Sequence, residues 1–384
     1  MDKSRGMPDF ILLFMTLALV GFGIVMVFSA SYILAYYNQE YNDSLFFVKR
    51  QALWAFFGLI GMLTAMNIPF RVYKRSFPAI ASFSFFLLFL VFTPLGMKLN
   101  GARSWIHIAG LTIQPAEFSK LGLIIYLAGL ISKKGERFRL WKNGLAPALV
   151  VTGIFFFAIA IQPDFGTSFI LLLTAGVVIF SGGAHLKHLG MLCIPALIAI
   201  AGIIISAPYR LKRISTFLNP WNDGMNGLDE GYHLIQSFYA MAHGGLGGVG
   251  FGKSIEKFLY LPYPQTDFIF SVMAEELGFF GCLVFLIFFI LLLWRVIVVT
   301  MRCPDTFGHL IGIGVVSMIS IQAIINIGGV TGSMPITGVP LPFISYGGSS
   351  LLVCMTSMGM ILSISRETNK QELKLRQKNI TPSA

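Results

Sequence analysis

The sequence predicts an all-α polytopic membrane protein of about ten transmembrane helices with one long extracytoplasmic loop. Three observations carry this. Of the 384 residues, 55% are hydrophobic, only 12% are charged and 36 are phenylalanine, more apolar surface than a soluble domain of this length needs. Apolar stretches long enough to cross the hydrocarbon core, about 20 residues each, recur along the chain. Lys and Arg gather in alternate loops, the asymmetry that orients such bundles.

The spans fall at roughly 10–31, 52–70, 77–96, 116–131, 145–162, 165–183, 189–207, 268–298, 308–332 and 343–363. The first reads as an uncleaved anchor, because its apolar run exceeds a signal-peptide core, although "FSAS" offers small residues for cleavage. With both termini cytoplasmic, the inside segments include "RVYKR" (71–75), "KKGERFRLWK" (133–142) and the tail from Arg366 to Lys378. The net charge of +11 then reflects topology and contact with anionic lipid, not nucleic-acid binding. Cys193, Cys282, Cys303 and Cys354 are scattered, mostly within apolar spans, and make neither a metal spacing nor a disulfide framework. Residues 1–365 form one transmembrane domain, and 366–384 form a loose basic cytoplasmic tail.

Two stretches break the pattern. Residues 208–267 form the long outer loop, in which "YHLIQSFYAMA" has a helical apolar period and "HGGLGGVGFG" suits close backbone approach. "GGVGFGKS" (247–254) matches the GxxxxGK[ST] phosphate-loop pattern, but no strand–helix unit frames it and nucleotide is absent outside the cell. In "GGVTGSMPITGVPLPFISYGGSS" (328–350), Pro335, Pro340 and Pro342 interrupt a would-be helix. Non-helical backbone at membrane depth needs protein or a watery cavity around it, so this segment either lines a cavity with the outer loop or is a plain turn.

The acids are the informative residues. Asp267 sits where the chain enters the eighth span and is either a helix N-cap or an ionised carboxylate at the lipid headgroups. Glu275 and Glu276, deeper in that span, must face the interior and find partners. Glu117 and Lys120 lie three apart on one helix face and are placed to pair. Asp164, at the hairpin between spans five and six, reads first as an N-cap. Arg103 and Trp105 in "GARSWIHIAG" sit at the outer interface, and Arg210 and Arg213 open the long loop. Cations suit a phosphate-bearing headgroup, and a carboxylate suits proton abstraction from a hydroxyl.

"GARSWIHIAGLTIQPAEFSKLGLI", "QPDFGTS", "GYHLIQSFYAMAHGGLGGVGFGKS", "YLPYPQTDFIFSVMAEELGFFG" and "PITGVPLPFISYGGSSL" resemble, in order, the signature segments of the SEDS family (shape, elongation, division, sporulation). The likeness is closer to the FtsW/SpoVE branch than to RodA. It implies a ten-helix fold and polymerisation of lipid II into glycan strands at the outer face of the membrane, in division or in sporulation septum or cortex synthesis. It also implies a class B penicillin-binding protein as transpeptidase partner, beside other divisome or cortex-synthesis membrane proteins.

The family's essential Asp maps onto Asp267 and its important Trp onto Trp105. Where the family usually has Glu after "YLP", this chain has Tyr263. Candidate substrate contacts are Arg103, Trp105, Lys120, Arg210, Arg213, Gln265 and Thr266. Glu117, Asp164, Glu275, Glu276 and Ser345 are read as structural or supporting. No cofactor is required by the motifs; a divalent cation, Mg2+ or Mn2+, is a candidate bridge at the pyrophosphate. The competing readings are a lipid-linked precursor flippase, which also uses broken helices and interior acids, and a non-catalytic division scaffold.

Overall fold

The computed structural model describes residues 6–37, 43–99, 102–108, 110–185, 187, 190, 216–222 and 231–380. The elements in chain order are α1 (Phe10–Tyr37), α2 (Phe46–Asn67), α3 (Phe70–Leu90), β1 (Gly96–Leu99), β2 (Ala102–Ile108), β3 (Leu111–Ile113), α4 (Pro115–Lys134), α5 (Ala146–Ala160), α6 (Phe165–Ser181), α7 (Tyr232–Gly244), α8 (Ile269–Met301), α9 (Thr306–Val330) and α10 (Gly348–Ile380). Nine of the ten expected spans coincide with helices; the expected span at 189–207 lies, Gly190 apart, outside the described residues. Among the described residues seven helices are long and apolar enough to cross a membrane: α1, α2, α4, α5 with the π turn before it, α8, α9 and α10.

α4 shows how the sequence ends and starts its helices. Pro115 occupies the first turn, where its missing N–H costs nothing, with Glu117 beside it, and Lys133 and Lys134 close the last turn before Gly135. α4 and α10 are the most enclosed helices, with 83% of their apolar spans buried against 33% for α2, α5 and α8. α10 packs on α2 through small residues: a Cβ at Gly359 would run into the Met62 backbone, the close approach that membrane helices use in place of a hydrophobic drive.

Four features depart from the expected pattern. The third helix begins at Phe70, directly after Pro69, instead of near 77, because its basic first turn is helical. β1, β2 and β3 form a three-stranded antiparallel sheet, order β1-β2-β3, in place of the end of a span and a plain loop. Met97 faces Trp105 across β1–β2, and Ile106 faces Ile113 across β2–β3. The tail is not loose: α10 continues to Ile380, carried by a run of strong helix formers. Its middle is moored by Arg71 to Glu367 (2.6 Å), by Arg366 to the Gly6 carbonyl (3.0 Å) and by Arg366 to Asn67 (2.8 Å).

The fourth departure is the break in α8. Gly278 has φ 68° and ψ −172°, so the helix is interrupted one residue after Leu277. The glycine-rich run 244–250 supplies the missing backbone partners. Val249 and Gly250 N–H donate to the Glu275 and Glu276 carbonyls (3.0 Å each), and Phe279 N–H donates to the Gly245 carbonyl (2.9 Å). Protein groups thus take over backbone bonds that the break leaves open. Within the phosphate-loop look-alike, Gly248 lies against the Glu276 backbone, and the Gly248, Val249, Gly250 and Lys253 N–H groups already donate to protein carbonyls. We predict that Gly278→Ala sharply lowers the monodisperse yield in detergent. The left-handed φ alone costs about 1–3 kcal/mol, and the new Cβ would overlap the Gly248 amide. Wild-type yield would refute this.

Candidate active site

The loop that precedes α8 is clamped by its own main chain. Tyr263, at φ 52°, turns its carbonyl inward to accept from Thr266 N–H (3.1 Å) and Phe268 N–H (3.5 Å). The carbonyls of Gln265, Thr266 and Asp267 are each held from outside the loop. Tyr346 N–H donates to Gln265 O (2.8 Å). The Ser345 hydroxyl donates to Thr266 O (2.6 Å), and Asn326 Nδ2 donates to Asp267 O (2.9 Å). α8 has Phe268 at its N-cap position, so Asp267 is not the cap. Its half-buried carboxylate faces Gly338, where a built Cβ would stand 3.8 Å from Oδ2.

The irregular segment 331–347 is the other half of the site, and polar groups on α9 hold it. Asn326 Nδ2 also donates to Val339 O (2.7 Å), and one turn earlier Gln322 Nε2 donates to Pro340 O (2.9 Å). Gln322 Oε1 accepts from Lys120 (2.7 Å), and Lys120 pairs with Glu117 (2.8 Å), both side chains at most 2% exposed. The expected pair therefore forms, and the Lys120 ammonium is enclosed by protein partners. Ser345 Oγ also accepts from Leu341 N–H (2.8 Å), so one hydroxyl ties both halves together.

Asp164 lies at the same end. It caps α6, accepting from Thr167 N–H (3.2 Å), and takes a bond from Gln114 Nε2 (2.6 Å). Burial pushes its carboxyl above the ordinary range, against these bonds, which pull it down. Gln114 N–H donates to Ser349 Oγ (2.9 Å), fastening the sheet to the start of α10. Within β2 the two-residue period buries Ser104 and Ile106 and leaves Arg103, Trp105 and His107 on the opposite face. Arg103 Nη2 donates to Thr93 O (2.9 Å). Arg210 and Arg213 lie outside the described residues.

Glu275 and Glu276 face opposite neighbours in the interior. Glu276 pairs with Lys257 (2.7 Å), both side chains fully buried, and accepts from Ser29 of α1 (2.6 Å). Glu275 accepts from Ser254 Oγ and Ile255 N–H (2.8 Å), folding the 253–257 stretch onto α8. Neighbouring Glu256 is pushed above the usual carboxylate range by burial and by the Glu275 charge. These contacts belong to the scaffold beneath the site. Cys282, Cys303 and Cys354 are free and buried; Cys193 lies outside the described residues.

Sequence reasoning missed Gln322 and Asn326, whose only signal is polarity inside an apolar span, and Gly338, which lies within the quoted "PITGVPLPFISYGGSSL" segment but was not singled out. It also missed His233 of α7, whose ring stacks on Phe268 at 6.0 Å and lies 6.4 Å from Tyr263. Among the described residues no group of three His, Cys, Asp or Glu is placed to hold a metal, so these residues do not fit a dedicated metal cage.

Residues 10–370 match the model of a family described as cell cycle protein and comprising FtsW, RodA and SpoVE. Stage V sporulation protein E of Bacillus subtilis (strain 168) is 44% identical over 367 residues, 95% of this chain and 99% of that protein. The probable peptidoglycan glycosyltransferase FtsW of Geobacter sp. (strain M18) is 38% identical over 358 residues, 93% of this chain and 96% of that one. A chain solved in work on structural coordination of polymerization and crosslinking by a peptidoglycan synthase complex aligns with TM-score 0.77 at 30% identity, covering 94% of this chain and 98% of its own. Rod shape determining protein RodA of Thermus thermophilus aligns with TM-score 0.70 at 28% identity, covering 94% and 97%. With ordered motifs, helical architecture and full-length similarity in agreement, the chain belongs to the FtsW/RodA/SpoVE family of cell cycle proteins.

Proposed function

We infer that this peptidoglycan glycosyltransferase polymerises lipid II, with Asp267 as the base. The observation that carries the reading is the carboxylate at the mouth of the 331–347 segment, on a loop whose carbonyls at Gln265, Thr266 and Asp267 are all clamped. Such fixing is what positions a catalytic group without reorganisation. Beside it, Gln265 Oε1 and Asn326 Oδ1 are buried and receive no hydrogen bond from the described residues, which suits the hydroxyls of a sugar.

In this reading the acceptor's GlcNAc 4-hydroxyl attacks the anomeric carbon of the lipid-linked MurNAc. The new C–O bond forms as the bond to the pyrophosphate oxygen breaks. Asp267 takes the hydroxyl proton and passes it to water, and undecaprenyl pyrophosphate leaves with the bond electrons. The α donor link becomes a β link by one inversion, so a single base suffices, unlike inverting hydrolysis with its carboxyl pair. Arg103, Arg210 and Arg213 are the cations proposed for the pyrophosphate. Lys120 acts instead through Gln322, holding the Pro340 carbonyl.

Both termini are proposed to be cytoplasmic, with the sheet and Asp267 at the outer face; the basic segments at 71–75, 133–142 and the end of α10 support that orientation. A class B penicillin-binding protein is the proposed partner, supported by the likeness to a chain of a peptidoglycan synthase complex. The test is glycan-chain formation from fluorescent lipid II by protein co-purified with a transpeptidase whose serine has been replaced. A ladder of polymer is expected. No polymer, with headgroup scrambling in liposomes, would make the protein a transporter instead.

A further inference from the structure

An apolar groove of about 540 Å3 runs between α3 and α5, lined by Phe85, Phe89, Phe92, Ile154, Phe157 and Ile161 among others. Its size falls among ligand pockets, about 300–1,000 Å3. Phe89, Phe92, Ile154, Phe157 and Ile161 are all substantially exposed along it, on the outward side of helices that pack inward through Ala81, Phe155 and Ile159.

Two features at its sheet end separate this groove from ordinary lipid-facing surface. The first is a cation. Phe92 lines the groove, and the carbonyl of the next residue, Thr93, accepts from Arg103 (2.9 Å). Arg103 forms no ion pair among the described residues, so its remaining donors are available to a phosphate. The second is continuity with Asp267. Ile161 at the rim begins the turn 161–164, which leads into Gly166 at the start of α6. Gly166 abuts Thr337 and Val339, and Gly338 between them faces the Asp267 carboxylate. Gly166 lies five positions beyond Ile161, a span of at most about 18 Å even if fully extended.

We propose that this groove binds the polyisoprenoid chain of a lipid-linked substrate. The chain lies against the phenylalanine walls, the pyrophosphate meets Arg103, and the sugar follows the 161–166 segment toward Asp267. The proposal rests on the lipid-linked glycosyl-transfer reading above, but its test measures binding and needs no turnover.

Gly153 also lines the groove, and a Cβ there meets nothing within 4 Å. Gly153→Phe therefore fills the groove with little disturbance to the helix packing. Gly176 on α6 is equally open and lies outside the groove, so Gly176→Phe is the control. The full-length protein in nanodiscs would be photolabelled with diazirine-bearing undecaprenyl pyrophosphate and the adducts mapped by peptide.

Labelling of 146–161 in wild type is expected, and Gly153→Phe should reduce it about tenfold, the loss of roughly two buried methylene contacts. Gly176→Phe should leave it unchanged, and excess phosphatidylglycerol should fail to displace it from wild type. Displacement by phosphatidylglycerol, or labelling indifferent to Gly153→Phe, would overturn the proposal. The wild-type competition keeps the test decisive if a variant fails to fold. Polymer formation without groove labelling would reject the groove alone; labelling without polymer would reject the glycosyl-transfer reading.

Discussion

Asp267→Asn is expected to eliminate glycan polymer while leaving the folded yield close to wild type. A positioned general base contributes about 10^2–10^4 in rate, so residual activity should fall below most detection limits. The folded yield should survive because the clamp on this loop uses the backbone carbonyls of Gln265, Thr266 and Asp267. Asn keeps the shape and the carbonyl that Asn326 holds. Single-turnover polymerisation of fluorescent lipid II, normalised to monodisperse protein, measures the effect. Equal polymer from both proteins would remove Asp267 as the base.

The second large effect is expected at the Lys257–Glu276 pair. Lys257→Met should lower stability by about 3–5 kcal/mol, because it strands an unpaired carboxylate in a fully buried site. Adding Glu276→Gln should recover most of that loss, since both charges are then gone. The pair is held by Ser29, within 3.2 Å of the ammonium, and by the Tyr32 ring, 5.0 Å from it. It therefore ties α1 to the pre-α8 loop and to α8. Glu276→Gln alone should lose folded yield but keep normal activity per folded molecule. Thermal midpoints in detergent and polymer per folded molecule check both points. A double variant no more stable than Lys257→Met would show that the pair is not what holds these elements.

Much of this was legible beforehand because membrane burial leaves a strong imprint on composition. A helix that crosses hydrocarbon must be apolar over its length, so nine spans could be placed to within several residues. The same cost made Glu275 and Glu276 conspicuous, and their need for partners followed at once. The sheet at 96–113 was not legible. Its seven-residue central strand buries only Ser104 and Ile106 fully, too weak a period to stand out beside spans of 20 residues. The helical tail was missed for a different reason: polar residues rich in Lys, Glu and Gln suit both a solvated coil and a helix, and only the mooring through Arg366 and Glu367 decides between them.

The sequence by itself determined that this is a polytopic membrane protein, where its acids fall, and which family's ordered motifs it carries. Those are properties of single residues and of spacing along one chain. The tertiary structure alone decided that Asp267 is not a helix cap, that Lys120 is enclosed by Glu117 and Gln322, and that the glycine run repairs a broken helix. Each depends on which backbone groups lack a partner once the helices pack, and that is set by segments up to about 200 residues apart, as between Lys120 and Gln322.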